Sequence, residues 1–559
     1  MEVTSRISQE VRLSGSEEEL RSAHYVEGLL RQAGLETELL FHDAYISLPG
    51  PAELLVGQDR FPCITHSFSA PSGPDGISGD LVDLGDPATE ARDRAGGKVA
   101  LIDGLAMAGF VRAVEAGGAI AQIYINGDLT HEMIVSAVWG SPGMSERGKY
   151  PKSAVVSVTN DVGAKLRQRL TSGPVQVRVL CEVDTAWRKT PLLVGNLKAT
   201  SGDDFVLLSG HLDSWHLGAM DNAGANAAMI EVARVLAGHR QHFRRGLRLA
   251  FWSGHSHGRY SGSAWYADCH WRELREHCVA HVNVDSIGGR GAIVLSKGIA
   301  MASTRAVGEA AVSEVSASGF EGTRVGRAGD QSFVALGIPS LWMSLSEQPP
   351  SDHPTARAFS AGVGSPRSGG LGWWWHTVED TMDKLDPALL VRDARIYAVA
   401  VATLVGDALL PLSAVAEADE LLHGLIDLDE VADGRFDLST TIATAREALA
   451  AAGGLEDWRA KQPPGPDLDK AALFNRAVNV LLRGLVGAQY SEHGPYGQDP
   501  AAGMQPIPLL HPVLALVELD ADSDQARLMT VDLIRSRNRL EDMVRQGTHA
   551  AETVLAQLR

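Results

Sequence analysis

Between residues 194 and 405 the chain alternates short apolar runs with stretches of helical periodicity, and this narrows its fold more than any other feature. Phe205-Val206-Leu207-Leu208, Leu247 to Trp252 and Val279 to Val284 are the apolar runs. Runs of this length between helical patterns predict an α/β domain around a largely parallel sheet. In such sheets, polar residues just beyond the strand ends are where sites are built.

The length of 559 residues leaves room for about three or four domains. Apolar residues make up 45% and charged residues 21%, which excludes wholesale disorder and fibrous repeats. Fifty Lys and Arg against 69 Asp and Glu give a net charge of −19, which repels phosphate backbones and anionic membrane surfaces. Neither nucleic acid nor a membrane is expected as a partner. The segment Met1 to Glu10 lacks an apolar signal core, and no apolar stretch reaches about 18 residues, so a cytoplasmic protein is expected. Cys63, Cys181, Cys269 and Cys278 show no CxxC spacing and read as free thiols. Cys269-His270 and His277-Cys278 are read as ordinary core or surface residues rather than a zinc site.

Ser16 and Glu19 form a capping box opening a helix that carries Leu20, Ala23, Val26, Leu29 and Leu30 and stops at Gly34. Leu48-Pro49-Gly50-Pro51 then breaks the strand-like alternation, where the chain is expected to leave one domain for another. From Asp80 to Val183 the order is strand (Gly97 to Ile102), helix (through Phe110, Val111 and Val114) and strand (Ile120 to Ile125), with another strand within Pro151 to Val158. That order resembles the protease-associated domain. Beyond Gly406 the chain turns helical, with helices predicted over Asp467–Gly487 and Asp522–Gln546. The expected division is residues 1–50 with 186–405 as a catalytic domain, 51–185 as the inserted apical domain, and 406–559 as a helical domain.

The chemistry-bearing residues cluster at strand ends. The apolar run through Leu207 and Leu208 leads into Gly210-His211-Leu212-Asp213-Ser214, followed by Asp221-Asn222-Ala223-Gly224. Asp285 follows the run His281-Val282-Asn283-Val284, and His376 follows Trp373-Trp374-Trp375. Two histidines with carboxylates form a nitrogen and oxygen donor set that zinc or a similar divalent ion accepts. Two ions about 3.5–4 Å apart would need one carboxylate to bridge them and offset their repulsion.

These segments, with Gly337-Ile338-Pro339 and His376-Thr377-Val378-Glu379-Asp380-Thr381, resemble the co-catalytic zinc exopeptidases, a family that includes glutamate carboxypeptidase II, bacterial zinc aminopeptidases and the non-catalytic transferrin receptor. The resemblance implies a mixed α/β sheet flanked by helices. It also implies that His211 and Asp285 hold one metal, Asp221 bridges and His376 holds the second, with Asp213 orienting His211. The implied activity is metal-dependent hydrolysis of a small amide or peptide substrate by activated water, with one or two divalent ions, zinc or similar, as cofactor. A receptor-like scaffold and cyclase-like acyl transfer on the same metal scaffold are the alternatives. The helical region is expected to mediate a homodimer, as in receptor-like members.

The chain departs from the family where two consecutive glutamates, a general base and a metal ligand, are expected. The text there is Phe251-Trp252-Ser253-Gly254-His255-Ser256-His257-Gly258. Counting from Trp252 puts His255 at the base and Ser256 at the ligand; counting back from Gly262-Ser263 puts His257 at the ligand. Histidine serves either role. Were the strand to continue, His255 and His257 would project to one side; His257 is favoured as ligand and His255 as the group nearer the attacking water. Alternation predicts Trp373 and Trp375 on one side and Trp374 on the other, with Trp375 as a candidate substrate contact. Asp330, in Asp330-Gln331-Ser332-Phe333, falls where the family has a pocket-lining loop and is a second candidate. The Gln348–Gly372 segment, rich in Pro, Gly and Ser, reads as a loop that either covers the site or runs over the surface.

Overall fold

The computed structural model describes residues 1–558 except 87–89, 201, 297, 343, 353–355, 357–369, 464 and 502. Most of the Gln348–Gly372 segment therefore lies outside the described residues. The strands are β1 (Glu36–Val56), β2 (Asp59–Pro62), β3 (Ile64–Thr65), β4 (Ile77–Gly85), β5 (Val99–Asp103), β6 (Ala121–Ile125), β7 (Ala154–Val158), β8 (Gln176–Leu197), β9 (Phe205–His211), β10 (Gly246–Trp252), β11 (Cys278–Asn283) and β12 (Ser340–Leu341).

The order β12-β11-β9-β10-β8 forms a mixed sheet in which β10, β9, β11 and β12 are parallel and β8 is antiparallel to β10. All seven residues of β9 are buried, because helices or loops cover both faces. Alternate residues face opposite sides. Val206, Leu208, Leu247, Leu249 and Phe251 join one apolar cluster with helices Glu17–Gln32, Ala225–Ala237 and Pro387–Gly406. Phe205, Leu207, Ala250 and Trp252 pack on the other side with Tyr266, Leu274, Phe333 and Ile338.

The strands β1 and β8 are long and pair antiparallel from Glu36↔Asn196 to Leu55↔Arg178, running out of the mixed sheet into the inserted segment. Leu48-Pro49-Gly50-Pro51, expected to break the strand, instead lies inside β1 at a register shift between Pro49 and Ala52. A bulge tolerates proline, which has no N–H for the ladder. Gly50 fits because a Cβ there would lie 2.9 Å from the Glu182 carbonyl oxygen. Within the insertion β4, β5, β6 and β7 are parallel, with helices Ala108–Ala116 and Asn160–Thr171 between strands.

The C-terminal helices Ala414–Ala432, Ser439–Ala460, Leu468–Tyr490 and Asp524–Leu558 share one continuous apolar cluster with the mixed sheet. No helix among the described residues is long and apolar enough to cross a membrane. The four cysteines are free. His270 stacks on Tyr266 and His277 lies 3.2 Å from Asp204, so these histidines are engaged away from one another.

Candidate active site

His211 ends β9, and its imidazole is held from behind: Nδ1 lies 2.9 Å from the Asp213 carbonyl oxygen, an acceptor only, so Nδ1 carries the proton. Nε2 then faces Asp221 Oδ1 at 2.9 Å and Asp285 Oδ1 at 3.5 Å. The other Asp221 oxygen, Oδ2, lies 3.2 Å from Nε2 of His376, whose Nδ1 donates to the Glu132 carbonyl oxygen at 2.7 Å. One carboxylate thus presents each of its oxygens to a different imidazole.

A neutral imidazole in either of these tautomers points a lone pair at a carboxylate oxygen, so a cation, proton or metal, must lie between them. Burial opposes a charge on His211, but Asp285, Asp213 and Asp221 outweigh it and hold its pKa well above the ordinary value. Asp221 is held well below the usual carboxylate range against its own burial by His211 and His376. A divalent ion in that position satisfies the same donors, and the chemistry of the set fits one.

The neighbouring backbone is fixed around Asp221. It lies in the tight turn Ala219–Gly224, where the N–H groups of Met220 and Asp221 donate to the Asp380 carboxylate at 2.9 and 3.0 Å. Burial and the nearby Asp221 push Asp380 up to about 7, against those hydrogen bonds. Asn222 donates to the Val284 carbonyl oxygen and accepts from Ser286 N–H, tying the turn to the end of β11, beside Asp285.

The His255–Ser256–His257 stretch does not continue β10. Gly254 has a φ of 71°, and a Cβ there would sit 2.0 Å from Ser261 Oγ, so glycine is required for the chain to swing into the short helix His255–Gly258. Residues two apart on a helix are separated by about 200°, and the two histidines diverge accordingly. His255 stacks on His211, with ring centroids 3.7 Å apart and planes 13° from parallel, while its Nδ1 lies 2.7 Å from Asp330 Oδ2. His211, His255 and Asp285 bring ligand-type atoms within 4.8 Å of one another. His257 turns toward the N-terminal segment, with Nδ1 2.9 Å from Ser14 Oγ and its ring against Trp215, which also contacts the His376 ring. Burial pushes His257 down to about 4, against the pull of Asp213.

Asp213 links these pieces. Its Oδ2 accepts from Ser14 Oγ and from the Ser256 N–H at 2.9 Å, and Oδ1 lies 3.5 Å from His211 Nδ1. The His211 and His255 partners hold it well below the ordinary aspartate value despite complete burial. Asp330, expected to line the substrate pocket, is buried behind His255 with both oxygens engaged, because Ser263 Oγ donates to Oδ1 at 2.7 Å. Trp375 stacks on the His376 ring at 3.5 Å, and its carbonyl oxygen lies 2.6 Å from His131 Nδ1. The tryptophans lie in turns rather than a strand, and Trp374 is the buried one, against Ala219, Met220 and Leu385.

Several site residues carried no sequence signal. Ser14 lies 199 residues from Asp213 in the chain, and His131 and Glu132 come from the inserted segment. Asp380 stood inside the motif around His376, without an assigned role.

A mixed sheet whose parallel strands end at His211 and lead to Asp285 is the fold of the zinc aminopeptidases. The aminopeptidase of Aneurinibacillus sp. strain AM-1 superimposes with a TM-score of 0.52 at 23% identity, over 72% of this chain and 92% of that one. A zinc aminopeptidase from Bacillus subtilis gives 0.54 at 20% identity, over 73% and 94%. Residues 193–401, which contain His211, Asp221, Asp285 and His376, match the family model described as Peptidase family M28. Among curated proteins, a probable glutamate carboxypeptidase VP8 from Zea mays is 31% identical over 120 residues, covering 21% of this chain and 17% of that protein. A probable leucine aminopeptidase 2 from Aspergillus oryzae is 22% identical over 308 residues, covering 53% and 60%. The matched regions span less than two thirds of either relative.

Proposed function

We propose that the protein is a metal-dependent hydrolase of peptide or small amide bonds, in which His211, Asp221, Asp285 and His376 hold one or two divalent ions, zinc or similar. One observation carries this reading: the Asp221 carboxylate faces two imidazole Nε2 atoms whose Nδ1 atoms are both committed to backbone carbonyls. That arrangement orients nitrogen lone pairs toward a cation and supplies the negative charge to keep it. When bound, the ion supplies Lewis acidity at the scissile carbonyl and a more acidic water.

The chain's own residues do the rest. Asp213 and its carbonyl orient His211. Asp380 holds the turn bearing Asp221, and the Glu132 carbonyl fixes the tautomer of His376. His255 is the general base in place of the absent glutamate. His257 Nδ1 is engaged by Ser14, 2.9 Å from its Oγ and 3.4 Å from its N–H, and Nε2 is the nitrogen left for a second ion. A scaffold that had lost its chemistry has no need of four donors kept in register, which weighs against the receptor-like reading.

The test is metal analysis of the purified protein joined to an assay on aminoacyl p-nitroanilides. Chelation is expected to remove both ion and hydrolysis, and zinc to restore them; hydrolysis that survives complete metal removal would refute the proposal. We further propose a homodimer through the C-terminal helices. Leu528, Val531 and Ile534 are exposed at 69%, 45% and 39% and recur every third residue along Asp524–Leu558. Light scattering at micromolar concentration is expected to give twice the chain mass, and a monomer would refute it.

A further inference from the structure

We infer that Asp330 and His255 form a dyad in which Asp330 is the positioning residue: it fixes His255 in the tautomer whose Nε2 is the free base. The inference rests on the hydrolase reading above and goes beyond it by naming what sets the base.

The hydrogen bonds behind His255 run in one direction. Trp139 Nε1–H donates to Ser332 Oγ at 2.8 Å, and Ser332 Oγ lies 2.8 Å from Ser263 Oγ. The Ser263 hydroxyl, bonded to Asp330 Oδ1 at 2.7 Å, spends its one proton there, so it accepts from Ser332. Asp330 Oδ2 meets His255 Nδ1 at 2.7 Å. A carboxylate with a donor on each oxygen offers Nδ1 only an acceptor, and the imidazole proton stays on Nδ1. Asp330 is 1% exposed and holds a φ of 48°. An aspartate in that left-handed region costs free energy that the surrounding contacts must offset.

The stacking decides between base and ligand. Imidazole lone pairs lie in the ring plane, and rings 13° from parallel with centroids 3.7 Å apart direct theirs side by side. They do not converge on one ion about 2.0–2.1 Å from each nitrogen. With His211 committed to Asp221 and Asp285, His255 Nε2 stands beside the ion site rather than in it. In the reaction, Nε2 takes a proton from water as the water oxygen forms its bond to the carbonyl carbon. The same proton then passes to the amide nitrogen as the C–N bond breaks and its electron pair goes to nitrogen, giving a carboxylic acid and an amine.

The experiment uses the full-length zinc-loaded protein, L-leucine p-nitroanilide, and the variants Asp330→Ala, His255→Ala and the double variant. Asp330→Ala is expected to keep its zinc and its KM while kcat falls about 10- to 100-fold. In the His255→Ala background the same change is expected to have no further effect, since Asp330 acts through His255. Nitrogen-15 spectra of labelled histidine are expected to show His255 protonated at Nδ1 in the parent, with proton density moving to Nε2 in Asp330→Ala. Should the alanine variant unfold, Asp330→Asn keeps the side-chain size and loses one of the two acceptors. Unchanged kcat in Asp330→Ala, or the full loss repeated on top of His255→Ala, overturns the dyad while the hydrolase reading stands. A parent that binds zinc yet cleaves no p-nitroanilide or peptide overturns the hydrolase reading and with it the base role. In that case the spectra still read the tautomer, and an unchanged His255 tautomer in Asp330→Ala overturns the positioning role as well.

Discussion

The two halves of the site are built in different ways. His211 ends β9 and Asp285 lies just past β11, on neighbouring parallel strands whose ladder fixes their separation. His255 and His257 sit on one turn of helix beyond a left-handed glycine, and His376 sits in a turn at a φ of 59°. The strand-end half is held by the sheet. The turn half is held by side chains and backbone from elsewhere: Asp330 for His255, Ser14 for His257, and His131 with Glu132 of the inserted segment for the Trp375–His376 turn. Displacing a strand-end residue therefore works against the sheet ladder, whereas displacing a turn residue works against a few side-chain and carbonyl contacts.

Breaking the carboxylate common to both halves is expected to have the largest effect. Asp221→Asn removes the charge that faces both imidazoles, and both bound metal and hydrolysis are expected to vanish together in metal analysis and assay. A variant with parental metal content and turnover would remove Asp221 from the site. Changes confined to the turn half are expected to separate the two readouts. His255→Ala is expected to lower kcat by about 10²–10⁴-fold with metal content unchanged, as for loss of a general base. His257→Ala is expected to lose the second ion only, with activity down about 10- to 100-fold, as read by zinc titration. Equal metal content in parent and His257→Ala would leave His257 a structural residue of the turn.

The smallest expected effect sharpens the role of the inserted segment. Burial pushes Glu132 up to about 8 from the ordinary 4.5, and its Oε2 is buried without a hydrogen-bond partner. A carboxyl with a raised folded pKa favours folding most below its unfolded pKa, and that advantage is lost as pH rises through the folded value. The parent should therefore lose stability between about pH 4.5 and 8 through this group. Glu132→Gln is expected to melt higher than the parent at pH 8, with the gain shrinking toward pH 5. A gain independent of pH would remove Glu132 as its source.

The strand-end half was legible in the sequence because an apolar run that stops at a polar, ligand-type residue carries its own geometry, and His211 and Asp285 stand at such ends. The turn half was legible only in its residue types. Extending β10 put His255 and His257 on one side, whereas Gly254 redirects the chain into a helix that sends one toward His211 and the other toward Ser14. Asp330 read as a pocket residue because its loop falls near the site; what the sequence could not show is that Ser263 and His255 take both of its oxygens. The Ser14–Asp213 contact spans 199 residues, and no local pattern encodes a pairing at that distance. Pro49 and Gly50 read as a break because proline lacks an N–H, and the bulge between β1 and β8 absorbs that loss.

Metal dependence of peptide-bond cleavage is the property that separates a metallohydrolase from a scaffold with the same donors. Hydrolysis of L-leucine p-nitroanilide and of a dipeptide panel should be measured on protein as purified, after exhaustive chelation, and after readdition of zinc, with bound metal counted in each state. Activity is expected to fall with the ion and return with it, at one or two ions per chain. Full activity in metal-free protein, or a fully loaded protein that cleaves none of these substrates, would contradict metal-dependent hydrolysis at this site.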